Sequence, residues 1–130
     1  MTDTPPPAPP RLRLRLQFGP GVMFGPGKAD LLEGIRETGS IAAAGRRMGM
    51  SYKRAWTLVE TLNAAFAEPL VASARGGSGG GGAGLTEAGE TALARYRALE
   101  AAAAVAGADD IAALQAMLRP GIASDISDET

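Results

Sequence analysis

Between Gly39 and Leu85 the chain places two short, capped helical segments on either side of a glycine turn and then runs into almost unbroken glycine. Gly39 is positioned to end a first helix, and Ser40 to cap a second over Ile41 to Met48. Gly49 supplies the turn, and Ser51 caps a third helix over Tyr52 to Phe66. Pro69 then stops the helix, and the apolar pair Leu70-Val71 faces Leu85 across Gly76 to Gly84. A chain with these caps and breaks has little choice but helix, tight turn, helix, hairpin.

Helix three sorts its residues when wound at about 100° per residue. Ala55, Leu58, Val59, Leu62 and Phe66 gather as a core stripe, while Lys53, Trp56, Thr57 and Glu60 point the other way. An exposed lysine, tryptophan and threonine near a helix N-terminus supply a donor, an apolar wedge for thymine methyls and a hydroxyl, which is what reading base edges requires. The alternative is a solvated helix face with Trp56 folded over the edge of the core. Tyr52 sits on the boundary, and Arg54 lies on the flank, better aimed at a phosphate than at a base. Helix two, with Ala42, Ala43 and Ala44, is small enough to pack close to its neighbours.

The glycine run has three readings. A linker would separate Val71 from Leu85, whereas a hairpin brings these two apolar residues together under the core. A nucleotide-binding phosphate loop fails, because no Lys-Ser/Thr follows the glycines and no strand-loop-helix unit frames them. A hairpin wing fits best: glycine lets backbone N–H groups approach phosphates, and Arg75 adds charge at its entry. Net charge is only −1, yet Arg46, Arg47, Lys53, Arg54 and Arg75 face only Glu60 and Glu68 in this stretch. After Leu85 three arginines face eight acids, so the basic footprint is local.

Outside this centre, residues 1–10 carry five prolines and are expected as an extended, mobile tail. Leu12, Leu14, Leu16 and Phe18 then alternate with Arg11, Arg13, Arg15 and Gln17, which predicts a strand with one apolar and one cationic face. Its arginines either touch DNA or protect a sheet edge. Gly19-Pro20-Gly21 turns the chain into a short return strand, Val22 to Phe24, before helix one from about Lys28 to Glu37, which buries Leu31, Leu32 and Ile35. Thr86 caps a long alanine-rich helix in which Ala92, Tyr96, Leu99, Ala103 and Ala106 recur at alternating spacings of four and three, the pattern of a dimer seam. Packing on its own domain is the alternative, with Leu93 on the flank. A last helix, Asp109 to Leu118, presents Ile111, Leu114 and Leu118, and the acidic tail from 119 is expected as disordered.

Absences narrow the function. The chain has no Cys and no His, which removes the common thiol and imidazole nucleophiles, bases and metal ligands, and no convergent carboxylate pair replaces them. An enzyme is therefore not expected, nor any cofactor or metal. No apolar run approaches the ~20 residues of a membrane span, and the proline-rich start lacks a signal-peptide core, so the expectation is a cytoplasmic protein.

Several of these segments also carry a resemblance. Gly39-Ser40-Ile41, then Gly49-Met50-Ser51-Tyr52-Lys53-Arg54-Ala55-Trp56, and Arg75 through Gly84 followed by Leu85-Thr86-Glu87-Ala88-Gly89 resemble the N-terminal DNA-binding domain of ModE-type molybdate-responsive transcriptional regulators, and more distantly the LysR-type winged helix-turn-helix. The likeness spans roughly residues 11–107. It implies a homodimeric bacterial regulator with Tyr52, Lys53 and Trp56 on the recognition helix and the wing from Arg75 to Gly82 at the DNA. In full-length members an oxyanion-binding domain follows the dimerisation helix, about where this chain ends, so molybdate sensing is not carried over; a separately encoded oxyanion-binding protein is a partner left open. Ser78 stands where the family often has a basic residue, implying a lighter phosphate grip.

The expectation is thus a mainly α winged helix-turn-helix with a β-hairpin wing, an N-terminal strand or hairpin and a long C-terminal dimerisation helix: DNA-binding domain 11–85, dimerisation region 86–118. Its DNA-binding residues are Ser51, Tyr52, Lys53, Arg54, Trp56, Thr57, Arg75, Gly76, Gly77 and Ser78, and its partners are double-stranded DNA and a second copy of itself. The competing expectation is a protein-interaction module on the same scaffold.

Overall fold

The computed structural model describes residues 9–75 and 81–121. One compact unit is Arg13–Leu99, and the described residues on either side of it, 9–12 and 100–121, belong to a second. In the first, a hairpin of β1 (Leu16–Gly19) and β2 (Val22–Phe24) leads into three helices, α1 (Pro26–Thr38), α2 (Ile41–Arg47) and α3 (Tyr52–Ala65). A second hairpin, β3 (Val71–Arg75) with β4 (Gly81–Leu85), precedes α4 (Glu87–Ala106), and α5 (Ala108–Ala116) closes the described chain. The architecture is the mainly α winged-helix fold expected from the order of caps and breaks.

Local chemistry explains the boundaries. Pro26 occupies the first turn of α1, where its missing N–H is not needed. Gly39 closes α1 with its N–H on the Ile35 carbonyl at 2.8 Å. Ser40 and Ser51 cap α2 and α3, each side chain accepting from a backbone N–H three residues on, that of Ala43 at 3.0 Å and that of Arg54 at 3.1 Å. Gly49, at φ +72°, takes the left-handed conformation that the turn between the two helices requires. Helix α3 ends at Ala65, because Phe66 turns to extended dihedrals before Pro69.

The core of this unit is built from Leu31, Leu32, Ile35, Leu62, Leu70 and Leu93, each under 2% exposed or close to it. Burying each such side chain contributes about 1.5–3 kcal/mol. The small residues of α2 let it sit against both neighbours: a Cβ on Gly45 would lie 2.9 Å from the Ala55 Cβ. Phe24 crosses Phe66 edge-on at 6.2 Å and meets Tyr96 at 5.1 Å, pinning the N-terminal hairpin onto α3 and α4.

Three expectations changed in detail. The alternating segment from Arg11 to Phe18 is paired only over Leu16–Gly19, because the return strand is three residues long. A register irregularity between Gln17 and Gly19 leaves Phe18 exposed rather than on an apolar face. Tyr96, placed by spacing on a dimer seam, is 3% exposed inside its own unit, with its hydroxyl donating to the Leu14 carbonyl. Packing on its own domain, the alternative reading of α4, holds for Tyr96 and Leu93, because they sit on the face of α4 that meets the core. In the second unit α5 buries no residue: Ile111 is half-buried, while Leu114 and Leu118 lie open together with Met117.

Candidate nucleic-acid interface

Helix α3 divides along its length into a buried stripe and an open arc. Ala55, Val59 and Leu62 are buried, with Leu58 and Phe66 packed at the edge. Ser51, Tyr52, Lys53, Arg54, Trp56, Thr57 and Glu60 are all exposed. At about 100° per residue, Lys53 and Thr57 occupy the middle of the arc, with Trp56 on one edge and Arg54 on the other, roughly 160° apart.

Trp56 is presented rather than folded over the core: it is 43% exposed, and its ring stacks on that of Tyr52 with centroids 6.4 Å apart and planes 20° apart. The pair forms one aromatic platform of two nearly parallel, exposed rings. Thr57 donates its hydroxyl to the Lys53 carbonyl at 2.9 Å, and Thr61 repeats the pattern on Thr57 at 2.9 Å. With its proton committed along the helix, Thr57 offers outward a lone pair and a methyl group, suited to accept from a base amino group or to touch a thymine methyl. Glu60, on the same arc, accepts only, which matches a cytosine amino group.

The wing stands beside this helix. Val71 pairs with Leu85 at its base, the pairing expected across the glycines, and Arg75 with Gly81 at its outer end. Its anchorage comes from a residue that sequence reasoning passed over. Asn63, near the end of α3, accepts from the N–H groups of Leu70 at 2.8 Å and Val71 at 3.1 Å and donates to the Val71 carbonyl at 3.0 Å. The signal was present: an asparagine inside a helix is a poor helix former whose side chain competes for backbone partners. The Ala83 N–H holds β4 to the Gly39 carbonyl at 3.0 Å, fixing the other strand to the corner between α1 and α2. A groove of about 510 Å³ lies between wing, α2 and α3, with Tyr52, Trp56, Glu60 and Asn63 on its helical wall.

Thr86 ties the wing to α4. Its Oγ1 accepts from the Gly89 N–H at 3.0 Å as the expected cap and donates to the Pro69 carbonyl at 2.6 Å. Of the remaining sequence-derived residues, Gly76, Gly77 and Ser78 lie outside the described residues, and Arg75 is placed at the end of β3 by its backbone. Ala92 is half-buried and Leu99 is 40% exposed; Ala103 is half-buried and Ala106 open.

Charge is sorted in the same way. Arg36, Arg47 and Arg97 are held by carboxylates, at 3.3 Å on Glu90, 2.8 Å on Glu37, and 2.8 and 3.1 Å on Asp30 and Glu33. Among the described residues Lys53 and Arg54 make no such pair, so the cations of the α3 arc are left to an outside anion.

Fold and arc together define a mainly α winged helix-turn-helix domain whose third helix keeps one face open. Residues 29–90 match the model of the family described as bacterial regulatory helix-turn-helix protein, lysR family. It is 49% identical over 84 residues to the molybdenum-pterin-binding protein MopB of Rhodobacter capsulatus, covering 65% of this chain and 31% of that protein. It is also 41% identical over 88 residues to the molybdenum transport protein ModE of Azotobacter vinelandii, covering 68% and 33% of the two chains. Against the DNA-binding transcriptional dual regulator ModE of Escherichia coli K12 the identity is 36% over 83 residues, covering 64% and 32%. The chain therefore spans about a third of the length of these relatives.

Proposed function

We propose that this chain is a sequence-specific DNA-binding transcriptional regulator of ModE type that acts as a homodimer. The observation that carries the proposal is the open arc of α3: Lys53 and Thr57 centred, the Tyr52–Trp56 platform beside them, and, among the described residues, no carboxylate paired to Lys53 or Arg54. Inserted in the major groove, that arc presents a cation, a hydroxyl acceptor and an apolar plane to base edges, while Ser51 holds the N-terminus of the helix in shape. The wing from Arg75 through Gly76, Gly77 and Ser78 contacts phosphate, adding affinity without sequence preference.

Dimerisation uses α4 through Ala92, Leu99, Ala103 and Ala106, without Tyr96. The partial exposure of Leu99 and the small residues around it support a close helix–helix approach in this region, 86–118. Two domains related by a two-fold axis read pseudo-palindromic half-sites. The names of the relatives support a link to molybdenum-dependent regulation, with a separately encoded oxyanion-binding protein as one candidate partner.

Selection of bound sites from a random duplex pool, at low and at physiological salt, tests the proposal. A two-fold symmetric motif that survives physiological salt is the expected result. Recovery of no motif at either salt concentration would overturn it in favour of a protein-interaction module.

A further inference from the structure

A second groove, of about 470 Å³, flanks α3 on the side away from the wing. Its wall carries Arg13, Arg15, Lys28 and Arg54 over a floor of Met23, Met50 and Leu58, and among the described residues no carboxylate lines it. Lys28 donates to the Met23 carbonyl at 2.7 Å, and the Arg15 guanidinium reaches the Met23 sulfur at 3.8 Å. Among the described residues Arg13 and Arg54 have no carboxylate partner, in contrast to Arg36, Arg47 and Arg97. Four cations converging without an acid repel one another, an arrangement that an anion relieves.

Protection of a sheet edge does not account for Arg13 and Arg15, because pairing begins only at Leu16 and both arginines precede the ladder. Their position relative to α3 does. Arg54 leaves the recognition helix on the edge opposite Trp56, and Trp56 is the edge that borders the wing-side groove. A helix about 10–12 Å across fills a major groove about 12 Å wide, so each flank of the helix faces one phosphate strand. The wing takes one strand.

We infer that Arg13, Arg15 and Arg54, steadied by Lys28, form a second phosphate clamp that grips the DNA strand on the side of the recognition helix away from the wing. This rests on α3 being the DNA-reading helix. The ligand is the phosphodiester backbone, bound without regard to base, and the clamp fixes the depth and tilt at which Lys53 and Thr57 meet base edges.

The test measures binding of the full chain and of an Arg13→Gln/Arg15→Gln variant to a short random-sequence duplex over a range of salt. Each phosphate contact contributes about 0.9 to the slope of log affinity against log salt, so losing two lowers the slope by about 1.8 per bound protomer. Both side chains are exposed, and far-UV circular dichroism verifies that the variant keeps its fold. A slope unchanged while binding persists overturns the clamp and leaves the DNA-binding proposal standing. Absence of salt-dependent binding by the unaltered chain overturns both. Phosphate-ethylation interference with the unaltered chain, on a duplex recovered by selection, gives a readout independent of any variant: interference on both strands flanking the groove is expected, and interference on the wing-side strand alone overturns the clamp.

Discussion

Replacing Asn63 by alanine removes a side chain that ties α3 to the first strand of the wing through three hydrogen bonds of 2.8–3.1 Å. Each such bond contributes about 0.5–1.5 kcal/mol net, and more where the abandoned group stays out of water, as at Leu70, which is 1% exposed. The gross loss is therefore about 2–4 kcal/mol. Alanine returns about 0.6 kcal/mol through its better helix propensity, leaving a net loss of about 1.5–3.5 kcal/mol. For a domain of this size that lowers the melting temperature by roughly 8–18 °C, at about 5 °C per kcal/mol. Urea unfolding followed by circular dichroism in the far-UV helix band gives the free energy by linear extrapolation to water. Asn63→Asp keeps both acceptor interactions but sets a second carboxylate oxygen against the Val71 carbonyl in place of the donor, so it is expected to recover only part of the loss seen with alanine. A loss below about 1 kcal/mol for Asn63→Ala would refute the reasoning, since water would then be serving the strand as well as the side chain does.

Other perturbations separate stability from recognition. Gly89→Ala drives a Cβ into the carbonyl of Leu70, with the carbonyl carbon only 3.0 Å away, and is expected to destabilise by about 3 kcal/mol or more; an unchanged urea midpoint would contradict that packing. Tyr96→Phe removes the hydroxyl bond to Leu14 and is expected to lower stability by about 1 kcal/mol, read by the same unfolding experiment. Lys53→Ala and Thr57→Ala are expected to leave folding intact and to reduce the preference for a selected site over random duplex by about 1–3 kcal/mol each, measured by competition binding. Arg75→Ala, in contrast, is expected to weaken binding to both duplexes equally and to lower the salt slope by about 0.9 per protomer.

Much of this protein is written in its local chemistry. Ser40, Gly49 and Ser51 set the limits of α2 and α3 because caps and left-handed turns are decided by a few adjacent residues. The period of Ala55, Val59 and Leu62 likewise determined which side of α3 is open, and Val71 and Leu85 identified their own pairing across the glycines. Only the tertiary structure decided what depends on residues far apart in sequence. Spacing on α4 cannot tell a dimer seam from a core-facing stripe, since both repeat at three and four; the arrival of Phe24 and Leu14 beside Tyr96 settled that residue in favour of the core. An alternating strand pattern runs only as far as a partner strand exists, and β2 is too short to pair Arg13 or Arg15. Those two arginines gain a role only where the fold sets them beside Arg54, four decades of residue number away, and Asn63 becomes an anchor only where β3 passes its amide. Caps, turns and periodicity are properties of neighbours along the chain, whereas clamps and anchors are made by groups that only the packed core brings within hydrogen-bond or Coulomb range.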